Sequence, residues 1–260
     1  MEPFEYSYVT REILGLTGID LSHYKQIQVQ RRLTSYLLRS GHPTWPSLFR
    51  AVRGDSQLAA QLRDYLTINV SAFFRDPAKY AELRRHILPE LLGRRETLRV
   101  WSAGCSYGQE PYSLAIMLAE LGAGQRHRIL ATDIDRVAVE RTRAGGPYTP
   151  DDVAAVPQEL LQRHFTPTPN GYWVSESLRH VVVARQHNLL ADSIDGGFDL
   201  IVCRNVVIYF TEAAKERLYR RFAQALRPGG MLFVGGTEVI ARAASLGLEL
   251  ARLSFYRRVR

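Results

Sequence analysis

The stretch Val100-Trp-Ser-Ala-Gly-Cys-Ser-Tyr-Gly108, with Gln109-Glu-Pro111 directly after it, decides the fold class of this chain. Its apolar start predicts a buried strand. Gly104 and Gly108 then form a turn in which backbone can approach a ligand without an intervening Cβ, and Pro111 is tolerated in a first helical turn. A strand, a glycine turn and a helix in this order are how a parallel sheet builds a nucleotide-sized pocket.

A second predicted strand, residues 128–132, ends on Asp133. A strand-end carboxylate at this position typically hydrogen-bonds the two ribose hydroxyls of an adenosine cofactor. The glycine turn lacks the G-x-G-x-x-G order of a dinucleotide fingerprint, and no helix N-terminus is bared for a pyrophosphate. An adenosyl ligand without phosphates fits better, and S-adenosylmethionine is the cofactor that we expect.

Length and composition indicate a globular protein. The chain has 260 residues, 46% of them hydrophobic, which is enough for one large domain with a small companion. No segment approaches the roughly 18 uninterrupted apolar residues of a membrane span, and the acidic start Met1-Glu-Pro-Phe-Glu5 is unlike a secretory signal. We therefore expect a cytoplasmic protein without membrane insertion. Cys105 and Cys203 have no further Cys or His at ligand spacing, so no metal site is expected.

The net charge of +8 suggests an acidic partner, which could be nucleic acid, a membrane surface or a carboxylate-rich protein. Within a predicted helix, Lys25, Arg32 and Arg39 recur every seven residues and form one cationic stripe. Two interpretations of this stripe stay open. It is either a solvated helix edge or a docking surface for an acidic helix bundle.

The chain divides into a predicted helical domain, residues 1–75, and a predicted catalytic domain, residues 76–260. Asp76 is the expected N-cap of a linker helix. From residue 97, strands and helices alternate, which predicts a parallel sheet covered on both faces. The predicted elements are strand 98–102, helix 109–121, strand 128–132, helix 135–143, strand 198–203, helix 212–226 and strand 231–235. Residues 148–187 interrupt them with β-rich runs at 172–174 and 180–184, interpreted as a small antiparallel insertion.

Two further features complete a recognisable order. The strand Phe198-Asp-Leu-Ile-Val-Cys203 stops at Arg204-Asn205, at the sheet edge where open α/β sheets bind ligands. Later, Leu226-Arg-Pro-Gly-Gly230 turns into another apolar strand. The glycine turn, the strand-end Asp133 and these two features occur in the order seen in class I, Rossmann-like S-adenosylmethionine methyltransferases.

Over nearly its full length, the chain resembles the chemotaxis receptor methyltransferases, the CheR-type protein-glutamate O-methyltransferases. The motifs that carry this resemblance are residues 69–75, 101–113, 131–135, 188–190 and 203–210. The resemblance implies a small helical N-terminal domain and a doubly wound domain with a three-stranded antiparallel insertion. It also implies methyl transfer from S-adenosylmethionine to glutamate carboxylates on chemoreceptor cytoplasmic helices, which yields methyl esters and S-adenosylhomocysteine.

With Gly104 of the turn, the resemblance gives the expected cofactor-binding positions: Asn69, Ser71, Arg75, Gly104, Glu110, Asp133, Asn188, Leu189, Arg204 and Asn205. Glu110 and Asp133 would contact the amino acid part and the ribose, and residues 188–189 would border the adenine. Arg75 and Tyr209 would lie nearest the acceptor as catalytic residues. An inter-domain salt bridge for Arg75 and a core position for Tyr209 are the structural alternatives.

The chemistry implied by the resemblance is modest. A glutamate with a pKa of about 4.3 is already ionised at neutral pH, so no general base is needed. A carboxylate and a sulfonium lose their charges as they react, so alignment and exclusion of water favour the transition state. Arg75 would orient the incoming carboxylate by charge-assisted hydrogen bonds.

Recognition of the substrate is expected to rest on the helical domain. Family members that tether to a peptide at a receptor's C-terminus tend to carry a longer glycine-rich loop in the β insertion, whereas Thr166-Pro-Thr-Pro-Asn-Gly171 is short and proline-rich. We therefore expect no such tether. The stripe of Lys25, Arg32 and Arg39 then suits an acidic receptor coiled coil, and a monomer is the default expectation.

Two rival functions remain at this point. A basic S-adenosylmethionine enzyme could methylate nucleic acid, but the sequence has no Asn-Pro-Pro-Tyr-like motif and no aromatic-rich basic cluster for unpaired bases. A non-catalytic adaptor could bind S-adenosylmethionine without turnover. The presence of Arg75, Asp133, Arg204 and Tyr209 favours an active enzyme over such an adaptor.

Overall fold

A computed structural model describes residues 2–67, 69–122 and 126–259. The chain forms two compact units, one of residues 1–68 with 207–216 and one of residues 69–206 with 217–260. This division differs from the predicted boundary after residue 75. Residues 69–75 fold with the second unit because Phe73 is fully buried there against the rings of Tyr148 and Phe165.

The first unit is helical. Its helices before residue 67 are α1 (Pro3–Thr17), α2 (Gln26–Arg39), α3 (Trp45–Gly54) and α4 (Ser56–Leu66). Their buried apolar faces include Ile13, Leu33 and Leu48, none of which is exposed to solvent. The start of α4 is fixed by the Asp55 side chain, which accepts hydrogen bonds from two backbone N–H groups of the first turn.

The second unit is built on a seven-stranded sheet. Its strands are β1 (Arg99–Ala103), β2 (Arg128–Asp133), β5 (Val182–Gln186), β6 (Phe198–Cys203), β7 (Leu226–Val234), β8 (Leu248–Arg252) and β9 (Phe255–Arg258). Their order across the sheet is β5-β2-β1-β6-β7-β9-β8. Strands β5, β2, β1, β6 and β7 are parallel, and four of them, β2, β1, β6 and β7, were predicted for this sheet. Strand β9 pairs antiparallel with β7 and β8 pairs antiparallel with β9, so the sheet is mixed.

Every residue of the central strand β6 is buried, as a continuous apolar run predicts for a strand covered on both faces. The remaining helices are α5 (Pro77–Glu82), α6 (Leu88–Arg94), α7 (Gln109–Glu120), α8 (Arg136–Ala144), α9 (Pro150–Val153), α10 (Gln158–His164), α11 (Glu176–Arg179) and α12 (Glu212–Ala225). A π-helical turn, Leu83–Ile87, joins α5 to α6. Among the described helices, none is long and apolar enough to cross a bilayer.

The insertion is smaller than predicted. It contains an antiparallel hairpin of β3 (Phe165–Thr168) and β4 (Gly171–Val174). A single bridge between Tyr148 and Tyr172, with two N–H···O bonds of 2.8 Å, stands where the resemblance implies a third strand. The predicted run 180–184 does not belong to the insertion, because β5 pairs in parallel with β2 and completes the edge of the main sheet.

Candidate active site

The parallel strands bring the predicted site residues to one sheet edge. Ala103 pairs with Thr132 at the ends of β1 and β2, and Cys203 pairs with Val234 at the ends of β6 and β7. The residues that follow these strands therefore emerge at the carboxyl edge, where open α/β sheets bind ligands. Charged residues occur at two of these strand ends. Asp133 is the last residue of β2, and Arg204 is the first residue after β6.

The glycine turn after β1 is fixed by backbone. The N–H groups of Gly104 and Cys105 both donate to the carbonyl of Thr132, at 2.8 and 2.9 Å. Gly104 has φ +89°, and a Cβ there would lie 2.5 Å from Cγ2 of Val206. Both the backbone conformation and the space exclude a side chain at Gly104. Glycine is therefore required here by the backbone conformation of the turn and by the packing of Val206.

Asp133 is held by two backbone amides. Its Oδ2 accepts a 2.8 Å hydrogen bond from the Ser106 N–H, and its Oδ1 accepts a 3.0 Å bond from the Asp135 N–H. Burial raises the pKa of the Asp133 carboxyl, and these amide bonds oppose the rise. Asn69 joins the same cluster, because its Nδ2 donates to Asp135 Oδ2 at 2.5 Å. The Asp133 carboxylate is thus fixed in orientation at the strand end.

Glu110 lies buried in the first turn of α7. Its Oε1 accepts a 2.7 Å hydrogen bond from the Ser102 hydroxyl of β1. Burial raises the pKa of Glu110, the positive charge of Arg204 opposes that rise, and the negative charge of Glu238 adds to it. Arg75 also opposes the rise. Glu110 therefore lies within electrostatic range of both arginines that were predicted for this site.

Arg204 is tied to the segment of residues 69–76. Its side chain is only 2% exposed. One terminal nitrogen, Nη1, donates to the carbonyl of Arg75 at 2.9 Å, and the other, Nη2, pairs with Oδ2 of Asp76. The Nε–H is buried without a partner among the described residues. Both terminal nitrogens of Arg204 thus contact two consecutive residues, Arg75 and Asp76.

The prediction for Asp76 is confirmed in its position before Pro77 but not in its side chain, which does not cap the helix. Asp76 stands at the N-cap position of α5 but has φ +60° and makes no side-chain capping bond. Its carboxylate pairs with Arg204 instead. A charge-assisted bond to a guanidinium competes with capping here because the left-handed backbone of Asp76 is unlike the extended backbone of ordinary N-caps.

Arg75 is half-buried, and its Nη1 donates to the carbonyl of Val70 at 3.0 Å. The backbone around it is anchored on both sides. Phe73 is buried, and the Phe74 N–H donates to the Ser113 hydroxyl at 2.9 Å. Ser71 is half-buried in the same segment. The structure therefore places Asn69, Ser71 and Arg75 together, on one segment attached to the strand edge.

Glu238 lies at the same sheet edge but is not among the predicted cofactor-binding or catalytic residues. Its Oε1 accepts from the Asn205 N–H at 3.0 Å, and its Oε2 accepts from the Gly235 N–H at 2.8 Å. These bonds join the turn after β6 to the turn after β7. Asn205 has φ +59°, and its Oδ1 is buried without a partner among the described residues. An acidic residue soon after a predicted strand was the available signal for Glu238.

Residues 188 and 189 follow β5 at the same edge. The His187 N–H donates to the carbonyl of Asp133 at 2.8 Å, which continues the strand pairing. The Asn188 Oδ1 then accepts from the Leu190 N–H at 3.0 Å, and Leu189 is buried. The carbonyl of Leu189 accepts from Nη1 of Arg221 at 2.5 Å. This turn is therefore well fixed beside the end of β2.

The other predicted residues belong to the first unit. Tyr209 lies in a 3-10 turn, and its carbonyl accepts a 2.9 Å bond from the Lys25 N–H. Arg32 does not form a free stripe with Lys25 and Arg39. Its guanidinium donates to the carbonyl of Tyr65 and lies 4.9 Å from the centre of the Tyr65 ring.

The solvent face of α2 includes Arg39 of the predicted stripe together with four residues outside that stripe. Ile27 and Leu38 are 83% and 80% exposed, and Arg31 and Thr34 between them are also exposed. Positions 27, 31, 34 and 38 follow helical spacing, so they share one face. We call these four residues and the exposed Arg39 the α2 face. Arg32 of the predicted stripe is not part of this face, because its guanidinium contacts Tyr65 of α4.

The strand edge fits an adenosyl cofactor. The Asp133 carboxylate is already oriented at the end of β2 by two backbone N–H groups. Buried polar atoms without protein partners, the Asn205 Oδ1, the Ser106 Oγ and the Arg204 Nε, provide both hydrogen-bond acceptors and donors. Such atoms are costly in a folded protein unless a ligand or water satisfies them.

Sequence comparison decides among the enzymes that use such an edge. The family profile described as "CheR methyltransferase, SAM binding domain" matches residues 69–249, and "CheR methyltransferase, all-alpha domain" matches residues 5–67. The chain belongs to the CheR methyltransferase family. The predicted family, fold class and cofactor are thereby confirmed, and the chain is an S-adenosylmethionine-dependent methyltransferase of the chemotaxis type.

Relatives in the CheR family match almost end to end. A chemotaxis protein methyltransferase of Listeria innocua is 40% identical over 254 residues, which cover 97% of this chain and 96% of the relative. Chemotaxis protein methyltransferase 1 of Pseudomonas aeruginosa is 34% identical over 236 residues, covering 86% of this chain and 85% of the relative. Both units of the chain therefore lie within the matched regions.

Proposed function

We propose that this enzyme methylates glutamate side chains on the cytoplasmic helices of chemoreceptors, forming methyl esters and S-adenosylhomocysteine. The observation that carries the proposal is the placement of Arg75. Its segment is joined to the strand edge through Arg204, and its charge acts on the buried Glu110. A fixed cation beside the cofactor site suits a carboxylate acceptor. The names of the family relatives agree with a chemotaxis substrate.

Each part of the cofactor has candidate partners at the strand edge. Both Asp133 oxygens use one lone pair for backbone amides, so each keeps another for a ribose hydroxyl. Glu110 is assigned to the amino acid part, and residues 188–189 to the adenine. Asn205 offers its unpaired Oδ1. When bound, S-adenosylmethionine supplies a methyl group on a sulfonium.

The residues of the chain would act by alignment. An acceptor glutamate is ionised at neutral pH, so proton removal is not required of any side chain. Arg75 would hold the carboxylate by charge-assisted hydrogen bonds, with one of its terminal nitrogens already directed by Val70. Exclusion of water would favour a transition state in which opposite charges disappear. The catalytic role of Tyr209 is part of the proposal and is tested by Tyr209→Phe.

The α2 face is the proposed surface for the receptor helices. It combines two exposed apolar side chains, Ile27 and Leu38, with the cations Arg31 and Arg39. An acidic amphipathic helix of a receptor coiled coil would match both the apolar and the charged parts. Lys25 precedes α2, and its half-exposed side chain extends the positive charge.

The hairpin of the insertion supports recognition without a peptide tether. A tethered peptide would add a strand to an open sheet edge by main-chain hydrogen bonds. Here β3 has only four residues, and Pro167 among them has no N–H to donate. On its other side, β4 is bridged by Tyr148 at Tyr172. Neither strand of the hairpin therefore offers a regular edge to a peptide.

The test is transfer of a labelled methyl group from S-adenosylmethionine to cytoplasmic coiled-coil fragments of the host's receptors. We expect label on glutamates, release by mild base, and loss of transfer in Arg75→Ala. Arg85→Ala, an exposed arginine ten residues further on, is the matched control and should transfer normally. Cofactor binding without label on any receptor would favour the adaptor, and label on nucleic acid alone would favour the other rival.

A further inference from the structure

We infer that Arg204 and Asp76 form a clamp that positions Arg75, so that both residues act on methyl transfer through Arg75. This inference rests on the proposed function, in which Arg75 orients the acceptor carboxylate. It assigns to Arg204 a positioning role, and it adds Asp76, which the sequence suggests only as a helix cap. The clamp consists of the Arg204 guanidinium, the carbonyl of Arg75 and the carboxylate of Asp76.

The guanidinium has one defined orientation. Its carbon lies 4.7 Å from the centre of the Phe233 ring and 5.5 Å from that of Tyr80, so aromatic faces restrict it. Its two terminal nitrogens then donate to two consecutive residues, Arg75 and Asp76. A planar fork that contacts a carbonyl and the next carboxylate fixes the backbone between them. Lysine, with a single ammonium, cannot reproduce this arrangement.

The backbone of the clamped segment is strained. Phe74 and Asp76 have φ +50° and +60°, which non-glycine residues rarely adopt. Such conformations persist only where surrounding contacts enforce them, and they cluster at functional sites. Phe73 and the Phe74 N–H anchor the segment before Arg75, and the clamp anchors it directly after. Arg75 therefore lies between two anchors, and the second one depends on Asp76.

Loss of the clamp should misdirect Arg75 without unfolding the strand edge. A misplacement of about 1 Å can lower turnover by about 100-fold. Asp76→Asn removes the charge but tolerates a left-handed backbone. We expect this variant to lower kcat about 10- to 100-fold. The cofactor Kd should change by less than about threefold, because Asp76 is not among the groups proposed to bind the cofactor.

The decisive experiment repeats the change in an Arg75→Ala background. If Asp76 acts through Arg75, then Asp76→Asn will change the residual kcat by less than about twofold in that background, since coupled residues are not additive. Arg204→Lys should behave in the same way. Equal fold losses of kcat in both backgrounds would overturn the inference, as would a Kd for S-adenosylmethionine that rises in Asp76→Asn as much as kcat falls.

Amide hydrogen exchange of residues 70–76 provides a readout without turnover. In the full chain without cofactor, Asp76→Asn and Arg204→Lys should accelerate exchange in this segment. Unchanged exchange there overturns the clamp whether or not any receptor accepts methyl groups. If the unmodified enzyme transfers no methyl group but exchange is accelerated in the variants, the proposed function is wrong and the clamp is still supported.

A second arginine–carboxylate pair, away from the site, distinguishes a positioning role from a general effect on stability. Arg227 lies 3.4 Å from the buried Asp199, near the opposite end of β6. Arg227→Lys should lower Tm but leave kcat and the exchange of residues 70–76 unchanged. If Arg227→Lys lowers kcat as much as Arg204→Lys at a similar loss of Tm, the effect of Arg204 is general destabilisation and the clamp is wrong.

Discussion

Two parts of the second unit fix their charged side chains in different ways. At the strand edge, Asp133 and Glu238 each accept hydrogen bonds from two backbone N–H groups. In the segment of residues 69–76, order depends on the ring contacts of Phe73 and on the pair of Arg204 with Asp76, 128 residues apart in sequence. The strand edge is therefore set by the sheet itself, whereas the segment is set by distant side chains.

The largest effect is expected where the segment joins the core. Phe73→Ala removes a fully buried ring between Tyr148 and Phe165. The free energy of unfolding should fall by about 3–5 kcal/mol, through lost burial and the cavity that remains. Denaturant unfolding monitored by circular dichroism measures it. Phe4→Ala, at a residue 87% exposed, should change it by less than about 0.5 kcal/mol. Similar losses in both variants would contradict the anchoring role of Phe73.

The second prediction concerns the strand edge. In the unmodified enzyme, both carboxylate oxygens of Asp133 accept a hydrogen bond from a backbone N–H, one from Ser106 and one from Asp135. In Asp133→Asn, one of these N–H groups must therefore face the N–H₂ group of the new amide, which cannot accept it. A buried donor without an acceptor costs about 1–3 kcal/mol. We expect this loss of unfolding free energy and a weaker Kd for S-adenosylmethionine by calorimetry. Asp151→Asn, at an exposed residue, is the control. Unchanged cofactor affinity in Asp133→Asn would remove Asp133 from the ribose site.

The comparison explains which parts were predictable. The glycine turn, Asp133 and β6 are local features in which a strand, a turn and a polar residue follow one another in sequence. Their positions in the structure agree with the prediction within one or two residues. Parallel strands then bring these turns to one edge without any further information.

The contacts that the sequence did not predict are long-range side-chain choices. Asp76 has the sequence context of a helix cap, and only the fold brings it to Arg204. Arg32 has the spacing of a free stripe, and only the packing of α4 provides Tyr65 as its partner. The run 180–184 has the pattern of a hairpin strand, and the open edge of β2 decides its partner. In each case two partners were chemically acceptable, and tertiary structure selected one.

The third prediction uses two glutamates of α7 with opposite environments. Burial raises the pKa of Glu110, whereas hydrogen bonds from His164 and Arg163 lower that of Glu120. A carboxyl whose pKa is raised in the folded state stabilises the fold at pH values below its ordinary pKa of 4.5, and this stabilisation is lost as the pH rises through the folded-state pKa. A carboxyl whose pKa is lowered in the folded state stabilises the fold at pH values above its ordinary pKa, and this stabilisation is lost as the pH falls through the folded-state pKa.

Urea unfolding at several pH values tests this difference in the protein without cofactor. Relative to Glu110→Gln, the unmodified enzyme should lose stability as pH rises above about 4.5, by at most about 1.4 kcal/mol per pH unit. Relative to Glu120→Gln, it should lose stability as pH falls below that value. The same sign of pH dependence in both comparisons would contradict the assignment of a desolvated carboxyl at Glu110.

The smallest effect is expected on the α2 face, where charges are exposed. Arg31→Ala removes a solvent-exposed cation between Ile27 and Leu38, so the fold should be unaffected while the KM for acidic receptor fragments rises. Exposed ion pairs contribute about 0.2–1 kcal/mol, which corresponds to a rise in KM of about 1.4- to 5-fold that added salt removes. Arg32→Ala is the matched variant, and it should lower Tm because its guanidinium contacts Tyr65 within the protein. If KM instead rises in a salt-dependent way for Arg32→Ala and not for Arg31→Ala, the docking surface is the predicted stripe of Lys25, Arg32 and Arg39. That result would also mean that the contact of Arg32 with Tyr65 breaks when a receptor binds.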